Sequence, residues 1–179
     1  MGLLKRKIDK YLIEWKNTPN RMPLIIKGAR QIGKTESIRK FAKENYKNVI
    51  EINFALQNQF KTIFDNGFEV ATIIKNISLI NPNLEFIPGK TLIFFDELQD
   101  CINCATSLKA FREDGRYDII CSGSLMGINY EKIESNSVGN KDDYEMYSMD
   151  FEEFLWAKGY KEEQINDLYE HMKNCKPFS

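Results

Sequence analysis

The sequence contains no apolar run approaching the ~20 residues that a helix needs to cross a bilayer. No membrane-spanning helix is therefore expected from it. It also lacks an excess of either charge: 25 Lys and Arg stand against 26 Asp and Glu, for a formal net charge of -1. That balance argues against a generally basic nucleic-acid binder and leaves room only for a local patch. The opening residues MGLLKRKIDKYLIEW carry charges throughout, so the apolar core of a secretory signal is missing. Gly2 follows Met1, but Arg6 stands where a myristoylation site wants Ser or Thr. The cytoplasm is the expected compartment. Cysteine is sparse, with only Cys101, Cys104, Cys121 and Cys175. Cys101, Cys104, His171 and Cys175 have the ligand chemistry for zinc, but the two halves lie far apart in the chain, whereas zinc knuckles close short loops. Reduced structural cysteines fit a cytoplasmic chain better.

What is present fits one domain. At 179 residues and 42% hydrophobic, such a chain buries roughly 70% of its unfolded surface. Leu4, Ile8, Tyr11, Leu12 and Trp15 recur at helical spacing. PLIIKG is a short apolar run ending at glycine, as in a buried strand, and TESIRKFAKENY resumes helical spacing. NVIEINF alternates and is β-branched, which predicts a second strand. Residues 56–80 read as helical with a break at DNG, and TLIFFDELQD is a third strand ending in carboxylates. Residues 101–114 read as a helix and YDIICSGS as a further strand. Residues 126–141, rich in Gly, Asn and Ser, read as a surface loop. YEMYSM then reads as a last strand, followed by helices in FEEFLWAKG and EEQINDLYEHM. Alternation of strand and helix predicts an α/β fold with a mostly parallel sheet and helices on both faces. Residues 1–22 are expected to form a helix and connector packed on the core, 23–150 the core, and 151–179 C-terminal helices.

Two stretches carry chemistry. GARQIGKT, residues 28–35, matches G-x-x-x-x-G-K-[ST] and sits between a strand and a helix, the context of a phosphate-binding loop. Loop amides and the unpaired N–H groups of the helix start can hold an anion, and Gly28 and Gly33 permit backbone that a Cβ would obstruct. The expected binding segment is Gly28, Ala29, Arg30, Gln31, Ile32, Gly33, Lys34, Thr35 and Glu36. Lys34 would reach the β- and γ-phosphates, and the Thr35 hydroxyl would ligate Mg²⁺. In TLIFFDELQD, four apolar residues deliver Asp96 to the C-terminal tip of a strand, the edge where parallel sheets bind ligands. Asp96 is the expected second Mg²⁺ ligand, a hard oxygen donor, and Glu97 the general base for water. The strand IICSGS offers Ser122 or Ser124 as a hydroxyl beside the γ-phosphate. Serine also forms turns, and the choice between the two stays open.

GARQIGKT, LIFFDELQ, FREDGRYDIICSGSLMG and YSMDFEEFLWAKG together resemble a group of prokaryotic AAA-type P-loop ATPases that usually carry a C-terminal domain of unknown function. The resemblance runs from about Lys5 to Phe178 and implies that residues 23–150 are the P-loop ATPase core. It implies the additional-strand catalytic-glutamate form of the P-loop fold, with YDIICSGS inserted between the Walker A and Walker B strands. It also implies ATP as the nucleotide, with Mg²⁺, and gives Lys34, Thr35, Asp96 and Glu97 the roles argued above. Relatives look about twice this length, so a helical lid and a partner domain are expected beyond this chain. No arginine follows Arg116, where the family places an arginine finger or lid sensor. Arg112 and Arg116 precede the sensor-like strand and read as solvated surface residues. Arg30 and Gln31 characterise the family without a physical role that the residues themselves supply.

Two functions from different classes follow. One is an ATPase, slow as an isolated domain. The other is a nucleotide-dependent switch that binds ATP, turns it over poorly, and acts on a partner protein or a missing C-terminal domain. A P-loop kinase is a third class. The adjacency of Glu97 to Asp96 suits water activation instead, and no arginine-rich segment is present to clamp a second phosphate substrate. Neither a membrane nor nucleic acid is indicated as a partner.

Overall fold

The computed structural model describes residues 4–124 and 130–174. Five strands alternate with helices: α1 Lys7–Asn17, β1 Leu24–Lys27, α2 Lys34–Asn45, β2 Asn48–Asn53, α3 Val70–Ile80, β3 Thr91–Asp96, α4 Ile102–Asp114, β4 Asp118–Gly123, α5 Tyr130–Ser137, β5 Asp142–Glu145, α6 Phe151–Ala157 and α7 Glu162–Lys173. Short 3₁₀ turns cover Asn58–Phe64 and Leu98–Asp100. The strands form one sheet in the order β2-β3-β4-β1-β5, with every pair parallel. β4 lies between β1 and β3, as expected for the strand YDIICSGS.

Period-two alternation along the strands feeds two cores, one on each face of the sheet. Ile93, Phe95, Ile119 and Cys121 pack on one face with α3, α4 and Ile133 of α5. Leu24, Ile26, Leu92, Phe94 and Ile120 pack on the other with Ile8, Leu12 and Trp15 of α1 and Ile38 and Phe41 of α2. β3 is buried along its whole length, which is why it reads as a continuous apolar run. Among the described residues no helix is long and apolar enough to cross a membrane.

Four local readings need correction. Leu4 lies before α1 and is exposed, so the buried stripe begins at Ile8. The segment after residue 56 forms a 3₁₀ turn before α3, not a broken α-helix. Residues 130–137, expected in a loop, form α5. Its Asn and Ser are poor helix formers, but Ile133 is buried and Asn136 bonds Thr106 of α4, so packing overrides propensity. The last strand is DDYE, not YEMYSM. Two acids are tolerated there because Asp143 pairs with Lys27 and Lys141, which also hold Glu134 of α5. Burial pushes the Glu134 carboxyl up, but these two ammonium groups outweigh it and leave the group below the usual carboxylate range.

Arg6 ties the segment before α1 to the glycine loop, to the segment after β5 and to α6. Its guanidinium donates to the Ile32 carbonyl at 2.8 Å and the Tyr147 carbonyl at 3.0 Å, and its Nε lies 3.1 Å from Glu153. Both side chains are buried, at 9% and 6% exposure. Glu153 also accepts the N–H groups of Lys7 and Asp150. Removing one member of a buried ion pair leaves the other charge uncompensated. Arg6→Met should therefore cost about 3 kcal/mol in urea unfolding, at the low end for such pairs because Glu153 keeps two N–H donors; a loss below about 1 kcal/mol would show the pair to be incidental.

Candidate functional site

β1 enters the glycine loop and α2 leaves it. No side chain caps the start of α2, so its first amides carry partial positive charge into the space above the sheet. That space is a cavity of about 550 Å³, lined by Gly33, Lys34 and Thr35 on one side and by Asp96, Glu97 and Ser122 on the other. Arg30, Gln31 and Glu36 also face it. Gly33 sits at φ +95°, where a Cβ is strained, and Gln31 adopts a left-handed φ of 62° without being glycine. Such strain concentrates at functional loops.

Gly28, Ala29 and Ile32 do not line the cavity but shape the loop. A Cβ on Gly28 would lie 2.3 Å from the Met146 carbonyl oxygen and 2.6 Å from the Ile32 side chain. The segment after β5 and Ile32 of the loop itself therefore both require glycine there. The Lys34 ammonium donates to the carbonyls of Gly28, at 2.9 Å, and Ala29. Burial pulls Lys34 below the usual lysine value and Arg30 acts the same way, while Glu97 and Asp96 pull back.

Register aligns the acidic side of the cavity. Asn53 ends β2 opposite Asp96, and Phe95 pairs with Cys121, so Ser122 stands beside Asp96 at one rim. The Thr35 hydroxyl lies 3.3 and 3.5 Å from the two Asp96 oxygens. Ser122, fully buried, donates its hydroxyl to Asp96. The backbone N–H of Ser124, which is buried as well, goes to Gln99 at 3.2 Å. Glu97 follows in a left-handed conformation, φ 57° and ψ 50°. Arg112 and Arg116 are bound elsewhere, to the Gly139 carbonyl and to Asp114, beside the beginning of β4 and away from this rim. Cys101, Cys104 and Cys121 are buried free thiols, and burial pushes the Cys104 thiol well up. The fourth ligand of the zinc alternative, Cys175, lies outside the described residues.

Sequence reasoning missed Asn53. Its Nδ2 donates to Asp96 at 3.1 Å while its Oδ1 accepts the N–H groups of Ala55 and Leu56. The available signal was a polar residue one place before the end of NVIEINF, at the same edge as Asp96.

Residues 20–155 match the family model described as AAA domain. Among solved structures, C. elegans PCH-2 is similar, with a TM-score of 0.44 and 14% identity, over 79% of this chain and 43% of that one. The chain therefore spans less than half the length of that structure. No curated protein sequence matches it.

If the loop and Lys34 hold phosphate, Mg·ATP at a hundred times its Kd should raise the melting temperature by roughly 5–10 °C. Lys34→Ala should lose most of that rise in a thermal-shift measurement. An undiminished rise in the variant would remove Lys34 from the site.

Proposed function

The chain belongs to the AAA domain family, a nucleotide-binding domain of ATPase type, and from that premise we propose that it binds ATP with Mg²⁺ and hydrolyses it. The observation that carries this reading is the meeting of the Thr35 hydroxyl and the Asp96 carboxylate at 3.3 Å across the mouth of the glycine loop. Both are hard oxygen donors, and Mg²⁺ is usually held by one or two protein oxygens together with substrate phosphates and water, so the pair fits the ion. Thr35 and Asp96 would hold it. Bound there, the ion would neutralise phosphate charge.

The remaining roles belong to the chain itself. The amides of the loop and of the first turn of α2 bind the phosphates. Lys34 leaves the Gly28 and Ala29 carbonyls for the β- and γ-phosphates. Glu97 takes a proton from water as the water oxygen attacks the γ-phosphorus. The bond to the β–γ bridging oxygen breaks, releasing ADP and phosphate. Ser122 holds Asp96 in orientation through its hydroxyl.

A second reading, a switch that binds ATP and turns it over poorly alone, is favoured by the engagement of Arg112 and Arg116 away from the site. An arginine acting on the γ-phosphate is worth about 10³–10⁵ in turnover, and a partner protein or a further domain would have to supply it. We place the ATPase first because the full set of Lys34, Thr35, Asp96 and Glu97 meets at one rim.

Phosphate release distinguishes the two readings. Glu97→Gln should lower kcat by roughly 10²–10⁴-fold while ATP still binds. Equal rates in wild type and variant would leave the switch as the function of this chain.

A further inference from the structure

We propose that Gln99 is a positioning residue that ties Glu97 to the end of β4, so that the segment carrying Ser122 also sets the orientation of the general base. The inference rests on the reading that Glu97 activates water.

Gln99 lies in the 3₁₀ turn Leu98–Asp100 and is 8% exposed. Its Nε2 donates to Oε2 of Glu97, and its Oε1 accepts the Ser124 N–H at 3.2 Å. A carboxylate only accepts and a backbone N–H only donates, so the chemistry of the two neighbours fixes which end of the Gln99 side-chain amide faces which. The left-handed backbone at Glu97 folds the chain back, bringing a residue two positions later against the same carboxylate. Gly123 leaves room for the bridge: a Cβ there would sit 3.2 Å from Oε1 of Gln99, tighter than ordinary contact.

Glu97, Ser122 and Gly123 line the cavity, and Gln99 stands behind them. Gln99 is not among the lining residues, so it is placed to act through Glu97. By occupying Oε2, the amide leaves Oε1 of Glu97 to receive the proton. Because the other end of the bridge is held by Ser124, a shift of the Ser122–Gly123 segment on contact with phosphate moves the base with it. Glutamine alone among side chains of this length supplies both a donor for the carboxylate and an acceptor for the amide. Glutamate would keep the Ser124 bond and set a like charge against Glu97, while methionine would keep the length and remove both bonds.

The test uses the whole chain, with Gln99→Met and Gln99→Glu beside wild type and Glu97→Gln. Phosphate release, affinity for a fluorescent ATP analogue with Mg²⁺, and melting temperature are measured on each. A misoriented base costs up to about 100-fold, so both Gln99 variants should lose roughly 10–100-fold in kcat, with KM and analogue affinity within twofold of wild type. Should Gln99→Met fail to fold, Gln99→Glu carries the test, since it preserves size and the Ser124 bond. Wild-type kcat in a folded Gln99 variant, or parallel losses in affinity and kcat, would overturn the positioning role while leaving the ATPase reading in place. A wild type no faster than Glu97→Gln would instead remove the water-activation reading, and this inference with it.

Discussion

Asp96 is 5% exposed, and its carboxylate receives hydrogens from four groups: the hydroxyls of Thr35 and Ser122, the Asn53 amide and the N–H of Glu97. A buried charge without such donors would cost several kcal/mol, and each charge-assisted bond returns roughly 1.5–3 kcal/mol. These donors come from the start of α2, from β4, from the end of β2 and from the next residue of the chain. The acid gains all four donors because the ends of β2, β3 and β4 and the start of α2 lie at one rim. The parallel order β2-β3-β4-β1 makes them do so, because every strand then points its C-terminal end the same way. The constraint that stabilises the fold is thus the one that builds the proposed metal pair.

A second brace comes from the other direction. The glycine loop is shaped by the chain that passes over it, with the Met146 carbonyl against Gly28 and the Arg6 guanidinium on the Ile32 carbonyl. Lys27, the last residue of β1, is clasped by Glu134 and Asp143. The loop is therefore supported from α1, α5 and the segment after β5, while its open side faces the cavity. The two left-handed non-glycine residues that line the cavity, Gln31 and Glu97, stand one in this loop and one just after β3.

Local features were legible in the sequence. The glycine loop, the buried run ending at Asp96 and the strand carrying Ser122 each announce themselves within about ten residues, because burial on both faces leaves an uninterrupted apolar run. Partners supplied by tertiary structure were not. Asn53 is an ordinary polar residue until register brings it to Asp96, and Gln99, which ends the LIFFDELQ of the resemblance, shows its partner only once a left-handed turn brings it to Glu97. Arg6 reads as one more charge in a charged helix start, though its partners Ile32, Tyr147 and Glu153 lie far along the chain. Helix α5 was missed for the same reason, since its helicity depends on burying Ile133 rather than on its own Asn and Ser. The last strand was displaced because its acids are neutralised by lysines that no periodicity reveals.

The most direct measurement is calorimetric titration of the whole chain with ATP, in Mg²⁺ and then in excess chelator. If the amide cradle and the Thr35–Asp96 pair act as one site, binding should be saturable at one nucleotide per chain and at least about tenfold tighter with the ion, a difference of 1.4 kcal/mol or more. Absence of binding at millimolar Mg·ATP, or identical affinity with and without the ion, would contradict the central claim that these two oxygens and the glycine loop form a single Mg·nucleotide site.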